Sequence, residues 1–179
     1  MDYLKILHEN PDLADEFDSL FDFFLLDELS PRDDAEGRCT FSMPGMAFAR
    51  DGSGGEYHLL EDGSIGYYSS EGETGRLAES MDDLFSLLVS CICWHDCCDT
   101  KQYVDSKTLE EYGQRQRNTN LEDMDSLRRV SDVLGIPTGE ALAPVLERFR
   151  KATQRQPLYQ CIFHEDDGSL TKSYGLMFE

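Results

Sequence analysis

Between Met46 and Ser69 three short segments rich in apolar and aromatic residues are separated by two glycine-bearing turns, and this spacing constrains the fold more than any other feature of the chain. The segments are Met46–Arg50, Glu56–Leu60 and Ser64–Ser69, and the turns are Asp51-Gly-Ser-Gly-Gly55 and Glu61-Asp62-Gly63. Glycine tolerates the positive φ angles that tight hairpins demand, so the stretch reads as an antiparallel meander. Within it Tyr57 and Leu59 alternate with His58 and Leu60, and Ile65 and Tyr67 with Gly66 and Tyr68, which makes at least one sheet face apolar. A fourth strand is expected to include Arg76–Ala78.

Helical signals flank the meander. Asn10 before Pro11 reads as a helix start, with the Asn side chain accepting from free backbone N–H groups. Leu13, Phe17, Leu20, Phe21, Phe24, Leu25 and Leu29 recur at helical spacing and carry the expected helix to about Leu29, with an acidic opposite face. Tyr3, Leu4, Ile6 and Leu7 suggest a short helix before it. Ser80-x-x-Asp83 resembles a capping box, and the stripe of Met81, Leu84, Phe85, Leu88 and Ile92 makes the helix it opens the central packing helix. Residues 99–120 read as a polar connection with at most a short helix around Lys107–Tyr112. Two helices follow, one capped by Asn120 and ending before Gly135, the other capped by Thr138. A hairpin of Leu158–His164 and Ser169–Phe178 closes the chain around Glu165-Asp-Asp-Gly168.

The expectation is a single α+β domain over residues 1–179, an antiparallel or mixed sheet with a central meander packed against several helices. Its parts are a helical N-terminal part (1–40), sheet and central helix (41–98), the polar connection (99–120) and a helical and hairpin C-terminal part (121–179). With 40% hydrophobic and 29% charged residues, the 179-residue chain has the composition of a globular domain. Its net charge of −20 repels nucleic-acid backbones and anionic membranes. Residues 1–100 hold 23 acids and 5 bases, whereas residues 101–179 hold 13 acids and 11 bases, so the field belongs to the N-terminal part. The N-terminal residues match no signal or transit peptide and no apolar run is long enough to span a membrane, so a cytoplasmic chain with six cysteine thiols is expected.

The stretches Phe48-Ala-Arg-Asp-Gly-Ser-Gly-Gly-Glu-Tyr-His-Leu-Leu60, Gly63-Ser-Ile-Gly-Tyr67 and Leu77-Ala-Glu-Ser-Met-Asp-Asp-Leu-Phe-Ser-Leu-Leu88 resemble the central part of the SUKH (Smi/Knr-like) superfamily. The shared features are a strand ending in Phe-Ala, an Asp-x-Ser-Gly turn, an aromatic strand, a hairpin, and an Ala-x-Ser lead into an amphipathic helix. They cover about a quarter of the chain. The family's N-terminal pattern, a Leu-Pro before an aromatic and a short helix ending in an Asn-Gly-Gly loop, is absent here. The resemblance implies a non-enzymatic protein-binding module. Bacterial members are typically immunity proteins that bind and neutralise a polymorphic toxin, often a nuclease. A basic toxin domain is then the expected partner, steered by acids at the meander turns: Asp51, Glu56, Glu61, Asp62, Glu71 and Glu73. The alternative reading is a regulatory or scaffold protein with an endogenous partner.

The segment Cys91-Ile-Cys-Trp-His-Asp-Cys-Cys98 carries a different chemistry. On a continuing helix Cys91, His95 and Cys98 would share one face and could present zinc ligands or serve a Cys/His-dependent hydrolase. Paired Cys-x-x-Cys knuckles are absent, and an apolar helix buries cysteine as a small side chain, so structural thiols are the expectation. The glycine turn at 52–55 lacks the Walker lysine and joins strand to strand, and neither acidic turn fits a calcium loop. No cofactor, metal or catalytic residue is therefore assigned.

Overall fold

The computed structural model describes residues 1–34 and 36–177. Two helices, α1 (Tyr3–Glu9) and α2 (Pro11–Phe21), open the chain. Asn10 lies between them, but its side chain donates backward to the Ile6 carbonyl at 2.7 Å, so it finishes α1 rather than capping α2. The expected long helix to Leu29 is also corrected. Asp22 turns left-handed at φ 51°, ψ 52°, and Phe24–Ser30 continue as strand β1. The Asp22 carboxylate accepts the Gly52 amide at 2.9 Å, so a loop distant in sequence holds the chain where α2 stops.

The meander forms as expected. Strands β3 (Gly45–Arg50), β4 (Glu56–Leu60), β5 (Ile65–Tyr68) and β6 (Thr74–Ala78) pair antiparallel, with β1 along the free side of β3, giving the order β1-β3-β4-β5-β6. Strand β2 (Cys39–Phe41) lies where the expected helical part (1–40) meets the expected sheet. It joins the closing hairpin β7 (Cys161–His164) and β8 (Leu170–Lys172) in a second sheet of order β2-β7-β8. The end of the expected hairpin at Phe178 lies outside the described residues.

The helix opened by Ser80 is α3 (Met81–Cys91), and the Ser80 hydroxyl accepts from the Asp83 amide at 3.2 Å. Asp83 in turn pairs with Arg148 Nε at 2.9 Å on α6 (Leu142–Gln154), tying the central helix to its neighbour. The polar connection is corrected: Ser106–Asn120 form the 15-residue helix α4, capped by Asp105. Asn120 is its last residue, and α5 (Met124–Leu134) is capped by Asp123 and ends at Gly135, φ 64°. Thr138 does not cap α6. Instead Glu110 on α4 accepts the Ala143 amide at 2.8 Å.

The two sheet faces are covered differently. On one, Tyr57, Tyr67, Ile65 and Leu77 join Phe17, Phe23, Phe85 and Trp94 in a hydrophobic core that extends to Val130 and Phe149. Burying such side chains stabilises by about 1.5–3 kcal/mol each. On the other, the small sheet and the segment before it lie against β4–β6. Tyr159 occupies the space over Gly66, where a Cβ would stand 2.6 Å from its ring. His58, Glu56, Arg76 and Ser64 are buried there among aromatics, so this face is polar and closed rather than solvated.

Candidate functional site

Half of the six turn acids singled out from sequence are used inside the molecule. Asp51 Oδ1 accepts the Ser53 and Gly55 amides at 2.9 and 2.8 Å, and Oδ2 accepts the Tyr67 hydroxyl. Burial alone would raise its pKa, but these bonds outweigh it and hold the carboxyl below the usual range. Glu56 is 2% exposed and fully engaged. Arg50 reaches its Oε1 at 2.8 Å, while the Asp33 amide at 2.8 Å and His58 Nε2 at 3.1 Å reach Oε2. Asp62 accepts the Ser64 amide at 3.0 Å and pairs with Arg76 at 3.3 Å and Arg155 at 2.8 Å. Asp51 and Glu56 are thus corrected: a buried, fully bonded carboxylate has no surface to offer a partner. Glu61 and Glu71 are exposed, and Glu73 is half-buried with its carboxyl raised by burial and by Glu71.

Around Glu56 the bonds extend into a buried chain across the second face. His58 Nε2–H donates to the Glu56 carboxylate, and Nδ1 lies 2.8 Å from the Tyr159 hydroxyl, which itself accepts from Arg32 at 2.9 Å. With both contacts satisfied, His58 is a neutral imidazole. Burial pushes its pKa down, against the pull of Glu56. Burial would raise Glu56, yet its three donors hold it down at about 2. The Arg32 guanidinium lies 4.2 Å over the Phe41 ring, so β2 is fastened to the same network. Arg76, 1% exposed, donates to Ser64 Oγ at 3.1 Å and to the Arg155 carbonyl at 3.0 Å, fixing the chain that enters the small sheet.

The Cys/His segment does not lie on one helix. Helix α3 ends at Cys91, Ile92 takes φ 66°, ψ −64°, and His95–Cys97 form a separate 3-10 turn, so the expected shared face of Cys91, His95 and Cys98 is corrected. Trp94 stacks on His95 at 3.7 Å and donates to the Tyr57 hydroxyl at 3.1 Å. His95 Nε2 lies 3.1 Å from the Tyr67 oxygen, whose proton goes to Asp51, so the imidazole is oriented by a phenol and a carboxylate behind it. It borders a cavity of about 430 Å3 with Glu73, Cys98, Lys101 and Leu176. The neighbouring thiol is not activated. Cys98 donates to the Trp94 carbonyl at 3.8 Å, and burial pushes its pKa well above the usual thiol range. Among the described residues no group of three or more His, Cys, Asp or Glu side chains is placed to hold a metal ion.

A second set of acids, expected in part on the outer face of one long helix, is divided between α2 and β1. Asp12, Asp15 and Asp18 lie on α2, Asp22 caps it, and Asp27 and Glu28 lie on β1. Among the described residues none of these six is in an ion pair, whereas Glu16 on the same helix pairs with Arg129. Burial and then the charges of Asp22 and Asp15 raise the Asp18 carboxyl, the signature of like charges in one field. Strand β1 forms the edge of the main sheet, and its Phe24 and Leu29 are 44% and 50% exposed. Four residues of β1 bulge between the pairs Leu25↔Ala49 and Ser30↔Ala47, presenting Asp27 and Glu28 outward. The sequence signal was the excess of acids before residue 100. What hid the site was the apolar spacing that read β1 as helix.

No family model, no curated protein and no solved structure matches the chain.

Proposed function

We propose that the chain is a protein-binding module of the immunity type, which occludes a basic toxin domain with the face formed by α2 and β1. The carrying observation is the contrast between two groups of acids. Asp51, Glu56 and Asp62 are consumed by internal bonds, whereas among the described residues none of the six on α2, its cap and β1 is in an ion pair, only Asp22 of them is tied to a backbone amide, and Phe24 and Leu29 of β1 are exposed. Unpaired charge of one sign attracts a basic surface from beyond contact distance, and apolar side chains in its midst supply short-range hold once water leaves. Glu61 and Glu71, exposed on the turns of the meander, add charge of the same sign to the long-range field. The resemblance of the meander and its following helix to the SUKH superfamily supports the immunity reading over that of an adaptor for an endogenous partner.

The test is affinity capture of the tagged chain from its own cells at low and moderate salt, followed by kinetics with the captured protein. The combined substitution Asp15→Asn, Asp18→Asn and Asp27→Asn is expected to slow association about tenfold at low salt while leaving dissociation nearly unchanged. An unchanged association rate overturns the assignment of this face. Co-expression decides the biological reading: protection of a cell that makes the captured protein supports immunity, and binding without protection points to the adaptor.

A further inference from the structure

The four buried cysteines lie in two neighbouring pairs, Cys39 with Cys161 and Cys91 with Cys97, while Cys93 and Cys98 are half-buried. All six are free thiols. The two pairs sit in different settings. Cys91 and Cys97 belong to the main hydrophobic core, where the chain reverses after Ile92. Cys39 and Cys161 lie outside it, on the neighbouring strands β2 and β7 of the small sheet.

The strand register brings the second pair together. Cys39 opposes Phe163, Thr40 opposes Ile162 and Phe41 opposes Cys161, so the two cysteines are diagonal neighbours whose side chains project to the same face. That face looks onto the main sheet, since Cys39 Sγ lies 3.9 Å from the Tyr68 hydroxyl. The two thiols share the space between the strands, where the neighbouring Cys39 raises the Cys161 thiol, so neither sulfur has to cross the sheet to reach the other.

We propose that Cys39 and Cys161 form a reversible disulfide site that takes a two-electron oxidant and locks β2 to β7 over the polar face of the main sheet. With a diazenedicarboxamide such as diamide, one sulfur adds to the N=N bond and the second displaces the nitrogen. One S–S bond forms, both S–H bonds are lost, and two hydrogens with two electrons reduce the diazene to the hydrazine. The S–S bond closes to about 2.05 Å, and because diagonal neighbours on paired strands start wider apart than a disulfide spans, β2 and β7 shift toward each other to close it. Burial and the Cys39 contact raise the Cys161 thiol to about 12, so little thiolate exists at neutral pH and the pair reacts through opening of the small sheet. Strands of three and four residues open more readily than α3 in the core, which makes Cys39–Cys161 the first pair to oxidise.

The experiment treats the reduced full-length chain with one equivalent of diamide, alkylates the remaining thiols and maps the peptides by mass. The expected result is a loss of two hydrogens per chain in a cross-link of Cys39 to Cys161, reversed by dithiothreitol. The other four cysteines should be recovered alkylated after unfolding, and the melting temperature should rise by roughly 5 °C because the bond constrains the unfolded chain. Cys39→Ser or Cys161→Ser should abolish the cross-link, and Cys93→Ser or Cys98→Ser should leave it. Oxidant consumed while Cys39 and Cys161 are both recovered alkylated overturns the proposal, and because that reading needs only the wild-type chain, a variant that fails to fold does not obscure it.

Discussion

At the scale of single residues, Glu56 and His58 couple the stability of the molecule to pH. Unfolded, they take ordinary values of 4.5 and 6.5, while the fold holds Glu56 at about 2 and His58 below its usual range. In both cases the unfolded chain takes up its proton first as pH falls, so both contributions are present above the unfolded values and lost on acidification. His58 begins to lose its share as pH drops through 6.5, and Glu56 loses its share from 4.5 down to about 2. Thermal melts from pH 8 to pH 3 are expected to fall in two stages. Glu56→Gln should shrink the lower stage, which Asp51 and Asp62 share, and lower stability at pH 7 by about 2–3 kcal/mol, because it leaves the His58 and Asp33 donors a weaker acceptor and Arg50 without its charge partner. None of this was legible in the sequence. Glu56 and His58 are two apart on one strand and therefore share a face, but their closure depends on Tyr159 and Arg32 arriving from distant segments.

At the scale of elements, α6 depends on α4. Its N-cap position is Ala141, which offers no side-chain acceptor, and the Glu110 carboxylate supplies one from the neighbouring helix. Glu110→Ala should lower stability by about 1 kcal/mol, read as a lower melting temperature, and Glu110→Gln should recover part of it because an amide oxygen still accepts. Helix α4 itself was hidden by its polarity. Its buried residues include only Leu109, Tyr112, Gly113 and Arg117, too narrow a stripe for apolar spacing to reveal, although Gln, Arg, Glu and Lys are good helix formers. The opposite error occurred at β1. The run Phe23-Phe-Leu-Leu26 satisfies helical and extended spacing alike, and the left-handed Asp22 held by Gly52 decided between them. The meander was readable because glycine at positive φ, as at Gly63 with φ 81°, leaves few alternatives to a hairpin.

At the scale of the whole molecule, the net charge of −20 opposes compaction wherever it is unpaired. Half of the described ion pairs involve C-terminal arginines, such as Arg148 to Asp83 and Arg155 to Asp62 and Glu79, whereas apart from Glu16 the acids of α2 and β1 are in no described ion pair. Exposed pairs contribute little, so screening of the repulsion outweighs their loss. Raising sodium chloride from about 10 to about 150 mM should therefore raise the melting temperature by a few degrees, and a fall would show that the pairs dominate. By itself the sequence determined the α+β class, the meander, the capped central helix and the acidic N-terminal half. Each follows from local rules: turn residues, side-chain periodicity and a count of charges. Only the tertiary structure decided that a second sheet closes the other face of the meander, that half the chosen turn acids are internal fasteners, and that six acids of α2, its cap and β1 are in no described ion pair. The physical reason is that a carboxylate's role depends on whether a donor reaches it before water does. Of the donors here, Arg50 reaches Glu56 across the hairpin turn between them, but Arg155, Tyr67 and the Asp33 amide are brought to their acids by packing rather than by spacing in the chain.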